Sequence, residues 1–202
     1  MLFSRFDASI VATIGLLLLC LGRTASAQPS PSPTDTSHYA VDADIRPASG
    51  QFDVTVDQHV VPERPTDTLR FLLHDDLQLQ NIASPAVKEY ETAPWKMGGR
   101  KDLHTSVVTI PLRRTATPST PLSLTWTYEG QLQTDHFPSF GGPVVSPHWI
   151  ELPVESMWVP VHASLQTRFT FDATIDLPED YEVVSTGTIQ QQSCSWHISS
   201  PV

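Results

Sequence analysis

Cysteine and lysine are both scarce in this sequence of 202 residues. The two cysteines are Cys20, in an apolar N-terminal segment, and Cys194, and the three lysines are Lys88, Lys96 and Lys101. A chain that loses its N-terminus keeps a single thiol, so an intrachain disulfide is excluded. The fold therefore depends on a hydrophobic core and on strand pairing rather than on cross-links. Cys194 is predicted to be a small buried side chain.

Positive charge is also in short supply. Twelve Lys and Arg residues stand against 22 Asp and Glu residues, which gives a formal net charge of −10 at pH 7. Nucleic acids and anionic membrane surfaces are bound through basic patches. The composition therefore argues against both as partners.

Helical periodicity is missing, and 18 prolines spread along the chain oppose long helices. The dominant period is two, as where Phe52, Val54 and Val56 alternate with polar residues, and this alternation is typical of strands with one buried face. Strands are predicted over residues 39–45, 52–56, 68–73, 77–82, 106–111, 122–128, 169–177, 182–185 and 188–192. Short strands separated by turn residues favour an all-β fold, an antiparallel β-sandwich or open saddle-like sheet with little helix.

Catalytic motifs are absent from the sequence. It contains no HExxH zinc motif, no GxSxG nucleophile elbow and no Gly-rich phosphate loop. The histidines are scattered, so neither a catalytic residue nor a metal ligand is predicted in this chain. Asp75 and Asp76 follow His74, but adjacent strand residues point to opposite faces, and a solvated turn is predicted there.

The N-terminus has the three parts of a secretory signal peptide over residues 1–27. Arg5 provides the positive charge, an apolar run extends from Ile10 to Leu21, and the small residues of Ala25-Ser26-Ala27 form a cleavage site. The run is about 12 residues, short of the roughly 20 that span a bilayer. Retention as an anchor, or lipid attachment at Cys20, remains an alternative. Cleavage leaves no membrane span and places the chain in the periplasm or outside the cell.

The remaining chain divides into two parts. Residues 28–37 are a Pro/Ser/Thr-rich tether that cannot form a core. Residues 38–202 are predicted to form a single β-sandwich domain. The least regular segment, residues 136–147, is predicted to be a long loop, which is either functional or a simple crossover between sheets.

Several segments follow one another in a recognisable order: a predicted hairpin of residues 69–74 with 77–82, Tyr128-Glu129-Gly130, Trp158-Val159-Pro160, the alternating strand 169–178, and residues 183–187. In this order they resemble the N-terminal β domain of the aminopeptidase N-type zinc metallopeptidases. The resemblance covers residues 39–202 and implies a domain that borders the substrate cleft without catalysing the reaction. It also implies that the last strand of the domain is cut off near residue 202. A catalytic metallopeptidase domain in the same chain would hold the zinc, and none is expected to be bound here.

One residue receives a role from this resemblance. In the family, an acidic or amide residue nine positions before the proline of the stop motif holds the free amino group of the peptide, and that position is Glu151. A carboxylate there would form a charge-assisted pair with an ammonium group. The alternative is an exposed strand residue without a function. The segment departs from the family pattern at Val159-Pro160-Val161-His162, which puts the role of Glu151 in question.

A second hypothesis comes from the signal peptide, the tether and the missing catalytic motifs. The chain would then be a stand-alone extracytoplasmic β-sandwich that binds a protein or a glycan. Surface aromatic residues would be its anchors, namely Trp95, Phe137, Phe140 and Trp149.

Overall fold

The structure is a computed structural model that describes residues 36–95, 104–132, 143–165, 168–185 and 187–200. The predicted signal peptide and nearly all of the tether lie outside these residues, as do Phe137 and Phe140. The described residues form thirteen strands and one 3-10 turn. The strands are β1 Ser37–Arg46, β2 Gln51–Val60, β3 Thr66–His74, β4 Leu77–Ala83, β5 Glu91–Pro94, β6 Thr105–Ala116, β7 Leu122–Gln131, β8 Val144–Ser146, β9 Trp149–Glu151, β10 Val161–His162, β11 Phe169–Asp176, β12 Thr188–Gln192 and β13 Ser195–Ser200.

These strands form two main sheets, which confirms the all-β prediction. The larger sheet has the order β12-β13-β11-β1-β2-β7-β4, and the smaller has the order β10-β3-β6-β5. The β8 and β9 strands form a separate hairpin. Among the described strands, all pairings are antiparallel except that of β1 with β11. No helix in the described part of the chain is long and apolar enough to cross a membrane.

The core lies between the inner faces of the two sheets. In β1 and β2 the buried positions alternate with exposed ones, as the period of two predicts. Phe71 from the smaller sheet meets Trp126 from the larger sheet edge-on, with 5.2 Å between ring centroids. The two sheets therefore share one hydrophobic core rather than packing as separate units.

The start of β1 lies slightly earlier than predicted, because Ser37 at the end of the predicted tether is its first residue. Ser37 is buried, and its hydroxyl oxygen accepts a hydrogen bond from the Val61 backbone N–H at 3.1 Å. This bond fastens the beginning of β1 to the end of β2.

The predicted hairpin of residues 69–74 with 77–82 is wrong. The β3 strand pairs with β6 and β10, whereas β4 pairs with β7 in the other sheet. The Asp75-Asp76 turn thus carries the chain from one sheet to the other. In a sequence, a short turn between two alternating strands predicts a hairpin. Here, however, each of the two strands pairs with strands that are remote along the chain.

Two smaller predictions also fail. Residues 182–185 form no strand, and Val184 is 89% exposed. The preceding strand β11 is already paired on both sides, by β1 and β13, so it offers this segment no free edge. Cys194 lies in the tight turn between β12 and β13 and is half-buried rather than buried, because a turn at the sheet end cannot point its side chain into the core.

Candidate functional site

The β8–β9 hairpin carries Glu151, the residue predicted to hold a peptide amino group. Its turn is organised by Ser146, whose hydroxyl oxygen accepts the backbone N–H of Trp149 at 3.1 Å and that of His148 at 3.4 Å. The same hydroxyl donates to the Trp149 carbonyl at 3.1 Å. A serine at the end of a strand therefore fixes a tight turn and sets the register of the hairpin.

This register decides which side chains share a face. Val145 pairs with Ile150, Ser146 with Trp149, and Val144 with Glu151. Directly opposite residues in an antiparallel pair point to the same side, and alternate residues of one strand do as well. Val145 is fully buried and turns its face to the core, so Trp149 and Glu151 lie together on the other face.

That outer face presents an indole beside a carboxylate. Trp149 is 58% exposed and Glu151 is exposed. The Glu151 carboxylate makes no ion pair or hydrogen bond with any other described side chain. It is therefore free, within this part of the chain, to accept hydrogen bonds from a ligand ammonium group, while the indole offers an apolar surface next to it.

The segment after the hairpin is rigidly held. Residues Val154–Ser156 form the 3-10 turn, and the Ser156 hydroxyl donates to the Pro153 carbonyl at 2.7 Å. Met157 then takes a left-handed conformation with φ of 55°. This reverses the chain and directs the following Trp158 into the core, where it is buried.

Both sheets form hydrogen bonds to the chain where it reverses direction at Met157 and Trp158. The backbone N–H of His74 in the smaller sheet donates to the Met157 carbonyl at 2.8 Å. The Tyr128 hydroxyl of the larger sheet donates to the Trp158 carbonyl at 3.0 Å. Burial raises the pKa of Tyr128 well above its ordinary value, so the phenol keeps its proton and remains a donor. The Trp158-Val159-Pro160 motif therefore marks a fixed corner that positions the Glu151 hairpin.

The aromatic residues of the second hypothesis do not form one described surface. Trp95 is half-buried just after β5, with the Arg70 guanidinium 6.0 Å from its ring centroid. Trp149 lies on the separate β8–β9 hairpin. Phe137 and Phe140 lie outside the described residues.

The sequence reasoning missed one cluster of side chains. His74, Asp75 and Asp76 place an imidazole nitrogen and two carboxylate oxygens within 4.8 Å of one another. The predicted turn at Asp75-Asp76 is present, but the argument that neighbouring residues point to opposite faces holds only inside a strand. The signal that could have found this cluster is a histidine at the end of a strand followed directly by two acidic turn residues.

Comparison with solved structures defines the class of fold. It is the fold of a region of the M1 zinc metallopeptidases. An M1 zinc metallopeptidase from Deinococcus radiodurans matches with a TM-score of 0.60 and 14% identity, over 82% of this chain and 38% of that one. A mutant of that enzyme with a Tyr-Ser-Ala substrate bound matches with a TM-score of 0.59, the same identity and the same coverage. Yeast LTA4 hydrolase in complex with bestatin matches with a TM-score of 0.52 and 14% identity, over 88% of this chain and 29% of that one.

This chain thus spans well under half of the length of those enzymes. No protein-family model and no curated protein matches the sequence. The likeness is therefore one of fold, and it agrees with the fold that the sequence motifs imply.

Proposed function

We propose that this chain is the non-catalytic N-terminal domain of an exported aminopeptidase-like zinc metallopeptidase. The observation that carries the proposal is the fold match, which extends over 82% of this chain but only 38% of the Deinococcus radiodurans enzyme. The motifs quoted from the sequence run in the same order as those of the family's β domain. The reaction and its zinc would belong to a catalytic domain in the same protein, and this domain would border the substrate cleft.

Export is the second part of the proposal. Its support is the charge of Arg5, the apolar run that follows, and the small residues of Ala25-Ser26-Ala27. These direct the protein to the periplasm or to the outside of the cell, where a peptidase would meet extracytoplasmic peptides.

Glu151 is the proposed substrate-binding residue. Its carboxylate is exposed, has no described charge partner, and projects from a hairpin held at a rigid corner. A peptide with a free N-terminus presents an ammonium group, which a carboxylate binds through charge-assisted hydrogen bonds. Trp149 on the same face would contact the apolar part of the first residue of the peptide.

The Glu151→Gln variant tests this role in the product of the complete reading frame that contains this chain. The substitution keeps the shape of the side chain and removes its charge. Loss of one partner of a close charge pair costs about 2–5 kcal/mol, so we expect kcat/KM for a peptide with a free amino terminus to fall by about 30-fold or more.

Glu155→Gln is the matched control, because Glu155 is an exposed carboxylate in the 3-10 turn four residues further on. It should leave kcat/KM within about twofold, as substitutions at exposed positions without a partner do. Equal effects of the two substitutions would exclude Glu151 as the amino-group ligand.

One observation favours the second candidate function, a binding module for a protein or a glycan. The Trp149 side chain is 58% exposed on the β8–β9 hairpin, and an exposed aromatic side chain is typical of an anchor in an interface. The DNA after codon 202 distinguishes the two functions. An HExxH motif in the continuing sequence supports the peptidase domain, and its absence supports the binding module.

A further inference from the structure

The turn between β3 and β4 gathers three side chains that could hold a metal ion, and His104 lies beside them. His74, the last residue of β3, has a side chain that is only 9% exposed. Its Nδ1 atom lies 3.9 Å from a carboxylate oxygen of Asp75 and 3.8 Å from one of Asp76. His104 lies at the edge of the group, with its Nδ1 atom 3.5 Å from the same Asp75 oxygen. The two imidazole rings stack nearly parallel, with centroids 6.0 Å apart.

The backbone holds these residues in place. The His74 N–H donates to the Met157 carbonyl at 2.8 Å, and the Asp75 N–H donates to the His104 carbonyl at 3.0 Å. The turn is therefore tied both to the corner after the 3-10 turn and to the start of β6. The four side chains project from one rigid frame rather than from independent loops.

The Nδ1 atom of His74 carries a lone pair. The Asp76 backbone N–H donates to His74 Nδ1 at 3.2 Å, so this nitrogen is an acceptor and carries no proton.

No lysine or arginine of the described residues pairs with either carboxylate. Three electron-pair donors, one of them almost fully buried, therefore lie within 4.8 Å of one another, and among the described residues only the imidazoles of His74 and His104 lie against the two carboxylates. Such an arrangement is electrostatically unfavourable by itself, and a bound divalent cation would relieve it.

We propose that His74, Asp75 and Asp76, together with His104, form a zinc-binding site at the crossing between the two sheets. Imidazole nitrogen and carboxylate oxygen are zinc ligands at about 2.0–2.2 Å, which places the ligand atoms of a tetrahedral site roughly 3.3–3.6 Å apart. The His74 Nδ1 atom lies 3.8–3.9 Å from the two carboxylate oxygens, and these three ligand atoms lie within 4.8 Å of one another, so a bound ion would draw them slightly closer together. The ion would replace the long Asp76 N–H bond to Nδ1.

The mixture of nitrogen and oxygen ligands also indicates the metal. Calcium and magnesium prefer all-oxygen sites, whereas imidazole suits zinc and its neighbours in the first transition row. The site requires no other part of a larger protein, because all four ligands belong to this chain. Bound zinc would fasten β3, β4 and the start of β6 to one another.

Titration of the purified full-length chain with Zn²⁺, and with Co²⁺ as a spectroscopic probe, tests the proposal. We expect one equivalent of metal to bind saturably and Co²⁺ to give the visible absorption of a tetrahedral site. Asp76→Asn and His104→Asn should each weaken binding by about tenfold or more, because both remove a ligand. Both residues are exposed, so these variants should retain the fold where a change at His74 would disturb the core.

Asp172→Asn is the matched control. Asp172 lies 3.6 Å from His38 in a similar histidine–carboxylate contact on the larger sheet, to which the described residues add no third ligand. This variant should bind Zn²⁺ as the parent chain does. The proposal is overturned if no saturable binding is seen, if Ca²⁺ competes equally with Zn²⁺, or if Asp172→Asn weakens binding as much as Asp76→Asn.

Discussion

Replacement of Trp126 by alanine should lower the free energy of unfolding by about 4 kcal/mol or more. The Trp126 side chain is 0% exposed and meets Phe71 of the other sheet edge-on. Deletion of a buried Trp or Phe side chain costs about 3–5 kcal/mol through lost contacts and the cavity left behind. The indole N–H also donates to Gln58 Oε1 at 2.8 Å, and the loss of this donor leaves a buried amide oxygen unpaired at a further cost of about 1–3 kcal/mol.

Urea unfolding followed by circular dichroism measures this effect. A domain of this size is stable by only about 5–15 kcal/mol, so the variant should unfold at a much lower urea concentration. Trp126→Phe keeps an aromatic ring against Phe71 and should lose less stability, which provides a measurable variant if the alanine form does not fold. Trp149→Ala removes an exposed indole and should change stability by about 0.5 kcal/mol or less. Equal stability of Trp126→Ala and Trp149→Ala would refute the account of a core shared by both sheets.

Replacement of Gly130 by alanine should be the second most damaging change, with a loss of about 2–3 kcal/mol. Gly130 in β7 lies against the β3–β4 turn, and a Cβ atom there would collide with the Asp76 carbonyl oxygen and lie 2.9 Å from Leu77 Cα. Both are backbone atoms, so the beginning of β4 must move to make room. Overpacking of this kind typically costs about 1–3 kcal/mol, and glycine in a strand often marks such a close approach.

The neighbouring substitution Glu129→Ala provides the control for Gly130. Glu129 is exposed on the same strand, so its replacement should alter stability by about 0.5 kcal/mol or less. The same urea experiment compares the two variants. If Gly130→Ala unfolds at the urea concentration of Glu129→Ala, the close approach of the β3–β4 turn to β7 is wrong.

Gly130 also shows which features of the fold can be predicted from the sequence and which cannot. The Tyr128-Glu129-Gly130 motif was recognisable by resemblance, and the alternation around it predicted a strand. The need for glycine arises from the Asp75-Asp76 turn, more than 50 residues earlier in the chain. Local periodicity carries no information on such a contact, and for the same reason the β3–β4 crossing was taken for a hairpin.

The Glu151 site and the His74 cluster also differ in whether a local sequence pattern can predict them. The role of Glu151 was inferred by resemblance, from the family residue nine positions before the proline of the stop motif, and the structure places Glu151 on a hairpin beside Trp149. The His74 cluster depends on a turn geometry and on His104, which pairing of β3 with β6 brings close. The parallel pairing of β1 with β11 could not be predicted from local sequence patterns either, because more than 100 residues separate the two strands.

The central claim is that this chain serves a larger metallopeptidase as its N-terminal domain. The most direct test is an aminopeptidase assay, with zinc present, of the full-length chain beside the product of its complete reading frame. We expect the complete product to release the first residue of a peptide with a free amino terminus, to ignore the N-acetylated peptide and to stop after chelation, while the chain of 202 residues is inactive. Turnover by the chain alone, or a complete product without chelator-sensitive aminopeptidase activity, would contradict the claim.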